Sequence, residues 1–288
     1  MSSTTTPTPV VVGTDGSEQA GAAVRWAARE AAAHRAPLHI VHAVGVPVDF
    51  GPGVGYAPID FGTLREAGNE IVTAARTLAR DVAGGELTIS TAVIEASAIP
   101  TLRDAAKDAR MLVVGTRGFG ALRRGLLGSV STGVARHAEC PVAVIPDGGT
   151  VIPEQGPVVV GVDGSAASRH AVEVAFDEAC RRDVELVAVH AWSEFGRYVS
   201  REEMQTEGAA LLAESLAGFA ENYPDVPVRR VVVEDRPARR LLATAQDAQL
   251  VVVGSHGRGG FAGMTLGSVS QAVLHAADCP VIIARGER

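Results

Sequence analysis

Gly115, Thr116, Arg117 and Gly118 are followed after nine residues by Gly128, Ser129, Val130 and Ser131. The same spacing returns later as Gly254, Ser255, His256 and Gly257, nine residues, then Gly267, Ser268, Val269 and Ser270. Each glycine run follows an apolar burst, Met111–Val114 or Leu250–Val253, and precedes a stretch that reads as a helix. A strand, a glycine loop and a helix N-terminus together present backbone N–H groups to an anion. Gly115, Gly118, Gly254 and Gly257 would let the chain turn sharply, with positive φ expected at Gly118 and Gly257, and approach phosphate oxygens closely. Gly128 and Gly267 would open helices whose dipoles favour those oxygens, and the hydroxyls of Ser129, Ser131, Ser268 and Ser270 would add donors. Arg117 could pair with phosphate at neutral pH, whereas a neutral His256 could only hydrogen-bond to it. The chemistry these residues suit is nucleotide binding, at two places.

An aspartate precedes each loop, in Gly13-Thr14-Asp15-Gly16-Ser17 and in Gly161-Val162-Asp163-Gly164-Ser165. An anion beside a triphosphate is unhelpful, so Asp15 and Asp163 suit a base amino group or a ribose hydroxyl. The competing reading makes them caps of the helices that begin two residues later. His42 and His190, at the ends of second strands, suit either local packing or ligand contact. Trp26, Phe219 and Tyr223 read as packing residues. Trp192 reads as packing or as a cover over a base.

The elements that must position these groups alternate. The first half reads as strand 9–12, a helix after Ser17, strand 38–44, helix 64–80, strand 87–93, helix 99–108, strand 111–114, helix 129–137 and strand 142–145. The second half reads as strand 157–162, helix 168–181, strand 184–190, helix 202–222, strand 228–233, helix 238–247, strand 250–253, helix 268–276 and strand 281–284. Short apolar runs without alternation fit central strands of a parallel sheet covered on both faces. The expected fold is α/β: two doubly wound five-stranded sheets with helices on both faces. In each, a crevice where the strand order reverses would bring strand one to strand four.

Asp15 and Asp163 stand 148 residues apart, but Gly115 and Gly254 only 139, so the first half carries nine extra residues between its second and third strands. These belong to a Gly- and Pro-rich stretch at 45–60, either a plain loop or a flap around Gly51, Gly53, Gly55 and Tyr56. The expected division is a tail at 1–8, a domain at 9–146, a linker at 147–156 and a domain at 157–288. A chain of 288 residues with 47% hydrophobic content can fill two cores, and aromatics at 4% leave them to Val, Leu, Ile and Ala.

A formal net charge of −7 without a long basic block argues against an extended nucleic-acid surface. Arg123-Arg124 lies in the first spacer and suits the solvent or, turned inward, a triphosphate. No run approaches a membrane span, and the N-terminal residues do not resemble a signal peptide. Cys140, Cys180 and Cys279 lack ligand spacing and read as reduced thiols of a cytoplasmic protein.

Known alternatives are missing. Neither loop has the lysine of a Walker A motif, and neither first strand leads into the dinucleotide fingerprint. No paired carboxylates, catalytic base or metal cluster accompanies the motif, so no catalytic and no metal-binding residue is assigned. The H-x-G-H signature of nucleotidyltransferases and the S-G-G-x-D-S of ATP pyrophosphatases are absent. What does match is G-x-x-G, nine residues, G-[ST]: Gly115, Gly118, Gly128 and Ser129, then Gly254, Gly257, Gly267 and Ser268. In this each half resembles an ATP-binding universal stress protein domain, and the chain resembles the tandem form found in actinobacteria. The resemblance spans nearly the whole chain. It implies strand order 3-2-1-4-5 and adenine contacts at Asp15 and Asp163. It also implies backbone contacts to adenine at Ala43 and Ala191, and antiparallel pairing of the two fifth strands into a pseudo-twofold unit. Function follows as an expectation: one adenine nucleotide per half, ATP ahead of ADP or AMP and accompanied by Mg2+, with weak or no hydrolysis, in a stress regulator tied to growth or dormancy. A slow ATP hydrolase and an interaction module with degenerate sites are the alternatives. Expected partners are the nucleotide, a second copy in a homodimer and an unassigned regulatory protein, with no nucleic acid and no membrane.

Overall fold

The computed structural model describes residues 7–45, 61–118, 127–146, 153, 155–193, 200–259 and 265–285. The expected flap, Arg123-Arg124, most of the linker and the first six residues lie outside these. The elements run β1 Val10–Gly13, α1 Glu18–Ala33, β2 Leu38–Ala43, α2 Phe61–Ala83, β3 Ile89–Ile94, α3 Ala98–Ala105, β4 Met111–Gly115, α4 Ser129–His137 and β5 Val142–Ile145. They continue as β6 Val158–Gly161, α5 Ala166–Arg182, β7 Leu186–Trp192, α6 Arg201–Asn222, β8 Val228–Glu234, α7 Pro237–Thr244, β9 Leu250–Gly254, α8 Ser268–Ala276 and β10 Val281–Ala284.

Two compact units result, one holding β1–β4 with α1–α4, the other β5–β10 with α5–α8. In the first, parallel strands are ordered β3-β2-β1-β4. In the second, β8-β7-β6-β9-β10 are parallel, which is the order 3-2-1-4-5. β5 joins this second sheet at its edge, pairing antiparallel with β10 in the register Val144 to Val281 and Val142 to Ile283. The two fifth strands thus pair as the resemblance implied, each covering the apolar edge of the other.

Val10, Val11 and Val12 and their counterparts Val158, Val159 and Val160 have no exposed surface, as central parallel strands require. Ser17 caps α1 by accepting from the N–H of Ala20, and Ser165 caps α5 by accepting from that of Ser168. Phe176 on α5 stacks on Phe219 and Tyr223, at 5.8 and 5.6 Å between centroids, and ties α5 to the end of α6.

Some boundaries move. α3 ends at Ala105, because Ala106 and Ala109 turn the chain into β4 through N–H bonds back to Leu102 and Ala106. α7 opens on Pro237, whose fixed φ suits a first turn, and its end tightens into a 3-10 turn at Ala245–Asp247. β7 runs past His190 to Trp192, because β8 offers partners as far as Glu234.

Cys140 and Cys279 are buried and Cys180 is exposed. Burial pushes the Cys279 thiol up to about 12. One thiol per chain, Cys180, is therefore expected to react with a disulfide reagent at pH 8 in native protein, and all three after denaturation. Mass spectrometry of the modified peptides checks this.

Candidate nucleotide site

The end of β6 and the loop after β9 converge on one carboxylate. Asp163 Oδ1 accepts from the N–H and hydroxyl of Ser165, at 3.0 and 2.6 Å. Its Oδ2 accepts from the N–H of Arg258 at 2.9 Å. Burial alone would raise this carboxyl. The bonds from Ser165 and Arg258 outweigh burial and hold it below the ordinary carboxylate range. A Cβ on Gly257 would stand 2.5 Å from Asp163 Oδ2, so only glycine lets the loop close on the aspartate. The first unit repeats the device: Asp15 Oδ1 accepts from Ser17 N–H and Oγ at 3.0 and 2.6 Å, and a Cβ on Gly118 would collide with Asp15 Oδ2.

The other glycines answer to packing of the same kind. A Cβ on Gly254 would meet the backbone of Ala167 at 2.7 Å, and one on Gly115 would meet the carbonyl of Gln19 at 3.0 Å. Gly13 and Gly161 lie under Leu102 and Leu241. Positive φ occurs at Gly16 and Gly164, in the turns after the aspartates, and not at Gly118 or Gly257 as expected. Those two glycines are required by close approach to a carboxylate, not by backbone handedness.

Each loop is then clipped to its helix. Gly128 N–H donates to Thr116 O at 2.8 Å and Gly267 N–H to Ser255 O at 2.7 Å. The buried Ser131 hydroxyl donates to Gly115 O at 2.7 Å, and that of Ser270 to Gly254 O at 2.6 Å. This corrects the expectation that these two hydroxyls serve a phosphate: each has one proton, and the loop takes it. Their backbone N–H groups remain at the helix starts. Gly128 and Gly267 cap α4 and α8 without any side-chain bond, unlike Ser17, Ser165 and Ser200 at α1, α5 and α6. The first-turn N–H groups of α4 and α8 thus receive no side-chain cap.

In the second unit these groups border a cavity of about 320 Å³. All ten residues expected of the second site line it: Gly161, Asp163, Ala191, Gly254, His256, Gly257, Gly267, Ser268, Val269 and Ser270. Among the lining residues Asp163 is the single carboxylate, and Val162, Val189, Leu241 and Val253 supply apolar walls. In the first unit Gly13 and Asp15 at the end of β1, Ala43 at the end of β2, Gly115, Arg117 and Gly118 after β4, and Gly128 to Ser131 at α4 occupy the same places in the repeat. The bonds and contacts above join Asp15 to Gly118 and Gly115 to Ser131.

His42 and His190 donate Nδ1–H to Thr14 O and Val162 O, each at 2.8 Å. A carbonyl only accepts, so the proton sits on Nδ1, and both rings brace the first strand beside the site. Trp192 does not line this cavity, which removes it as a cover over a base there.

The universal stress protein family model matches residues 7–146 and 156–285. The chain belongs to the universal stress protein family. Universal stress protein Rv2005c of Mycobacterium tuberculosis is 50% identical over 285 residues, 96% of each chain. Universal stress protein Rv2623 of the same organism is 46% identical over 296 residues, 99% of each. A solved universal stress protein from Archaeoglobus fulgidus shares the fold, with a TM-score of 0.72 at 19% identity over 96% of each chain.

Within this universal stress protein chain, sequence reasoning missed Arg258, Pro237 and the apolar walls. Arg258 had a signal: it is the one arginine between Gly254 and Gly267, at the position where the first repeat has Phe119. Leu241 and Val253 had none, because core and cavity walls use the same residues.

Two outcomes follow. Gly257→Ala should cost about 1–3 kcal/mol by overpacking against Asp163, and Asp163→Ala should relieve part of that cost in the double variant. Urea unfolding of the four proteins measures the coupling. Because the folded carboxyl of Asp163 is lowered, its stabilisation is full above the ordinary value of about 4 and is lost as pH falls through the lowered one. Asp163→Asn should therefore lose less stability than the parent between about pH 5 and pH 2.

Proposed function

We propose that each half of this universal stress protein binds one adenine nucleotide, ATP ahead of ADP or AMP, and that occupancy, not turnover, is the output. The observation that carries this is the start of α8, whose N-cap Gly267 makes no side-chain bond, lining one cavity together with Asp163. Phosphate oxygens would accept from the N–H groups of Gly257, Ser268, Val269 and Ser270, aided by the helix dipole. Oδ2 of Asp163 accepts one bond among the described residues and has a second lone pair for a base amino group or ribose hydroxyl. Gly161 and Ala191 would flank the base. In the first half Gly118, Ser129, Val130 and Ser131 would take the phosphates, Asp15, Gly13 and Ala43 the base, and Arg117 would add a charge that His256 lacks when neutral. With one carboxylate in the cavity lining, Mg2+ would arrive on the phosphates and be held chiefly by them.

Among the described lining residues Asp163 is the one carboxylate, and the bonds from Ser165 and Arg258 favour its ionised form, which suits a polar contact to the ligand. A link to growth or dormancy, self-association as a homodimer, a cytoplasmic location and the division into domains 9–146 and 157–288 complete the reading. Among the described residues no helix is long and apolar enough to cross a membrane.

Calorimetric titration of nucleotide-free protein with ATP should give a stoichiometry near two, and no binding of ATP, ADP or AMP would reject the reading. Gly257→Ala should weaken the second site more than the first. Steady hydrolysis within the ordinary enzyme range of about 1–1,000 per second would move the protein into the enzymes.

A further inference from the structure

Among the residues lining the cavity of the second unit, Arg258 is the one permanently charged cation. It also lines a second groove of about 840 Å³ that runs along α6 and has Trp192 in its wall. The two ends of Arg258 are used separately. Its backbone N–H holds Asp163 Oδ2, while its guanidinium lies over Gly164, the residue after Asp163. Nη2 stands 2.5 Å and Cζ 3.4 Å from the Cβ position of Gly164, with Leu211 Cδ1 of α6 at 3.1 Å from it. The charge thus sits beside the turn that follows the aspartate. Among the described residues this guanidinium has no ion pair. Glu207 and Glu214 of α6 line the groove too, and neither pairs with it.

The first repeat differs at this point. Counting from Gly115 and Gly254, it has Phe119 in place of Arg258. Counting from Asp15 and Asp163, it has Gly21 in place of Arg169, which lines the groove beyond Gly164. The three atoms nearest the Cβ position of Gly16 all belong to Ile71. The turn after the aspartate therefore meets hydrocarbon in the first unit and a guanidinium in the second.

An ionised aspartate only accepts hydrogen bonds, so it suits a free ribose hydroxyl and repels a phosphate on the neighbouring oxygen. A guanidinium beside it reverses the second preference. It brings a full charge and a planar fork of donors, the means by which an arginine accommodates a ribose phosphate in dinucleotide-binding folds. We propose that the second site selects an adenine nucleotide carrying a phosphate on its ribose 2′ or 3′ oxygen. The remaining hydroxyl donates to Asp163 Oδ2 and the phosphate accepts from Arg258. This rests on the nucleotide reading above and gives its two sites different ligands, since the first, with Phe119 at the matching position, favours the plain ribose.

Calorimetry on the whole, nucleotide-free protein compares AMP with adenosine 2′,5′-bisphosphate and adenosine 3′,5′-bisphosphate. One bisphosphate should bind at one site about tenfold tighter than AMP, with no gain at the other site. Whichever isomer gains identifies the ribose oxygen. Arg258→Gln keeps the backbone N–H on Asp163 and should bring the ratio of bisphosphate to AMP affinity at that site close to one. Arg258→Lys, a point charge without the fork, should restore part of the preference. A ratio near one in the parent protein, a gain shared equally by both sites, or a preference that survives Arg258→Gln would overturn the proposal. ATP binding at two sites without any such preference rejects this inference alone. No binding of ATP, AMP or either bisphosphate rejects the nucleotide reading together with it.

Discussion

Each site hangs on a carboxylate that faces two ways. Oδ1 of Asp15 or Asp163 orients the serine that caps the next helix, and Oδ2 lies against the glycine of the distant loop. Strand one, the helix after it and the loop after strand four are thereby held at one point. Move the carboxylate and the helix start loses its cap geometry while the loop loses its seat. The strengthened, partly buried bonds at Asp163 show that the fold favours the ionised form there.

From that constraint the division of labour among the glycines follows. A motif read as bare backbone for a phosphate is largely bare backbone for the protein: Gly257 for Asp163, Gly254 for α5, Gly161 for Leu241. The backbone donors available to an anion sit one step further on, at a helix start to which no side chain is bonded. Ser270 illustrates the economy, its hydroxyl holding the loop while its N–H belongs to the first turn of α8. The two functions are compatible because hydroxyl and amide point to different partners.

The repeats also show how one frame takes on different surfaces. The histidine brace, the capping serine and the α6 or α2 glycine under it recur, and each has a partner that a different side chain would displace. Positions on the facing sides of the paired helices are released from that requirement. There Leu78 and Gly21 have diverged from Gly218 and Arg169. Membership in the universal stress protein family accounts for the frame, while the side chains on the facing helices differ between the repeats.

Much was legible from the chain alone, because its signals are local and doubled. Buried parallel strands require continuous apolar runs such as Val158–Val160, and a helix start after a glycine loop shows itself in spacing; α4, α8, β5 and β10 fall where the sequence places them. That ten residues spread from Gly161 to Ser270 would line one cavity was legible for the same reason. Which atom each residue uses was not legible. That the Ser131 and Ser270 hydroxyls turn inward, that Gly118 and Gly257 abut carboxylates at ordinary φ, and that Trp192 enters a different groove all depend on partners far away in sequence. Such contacts form between segments whose separation along the chain carries no information about their distance in space. The residue types and their order were therefore set by the sequence itself, while the assignment of donors, acceptors and empty space among them was decided by tertiary packing.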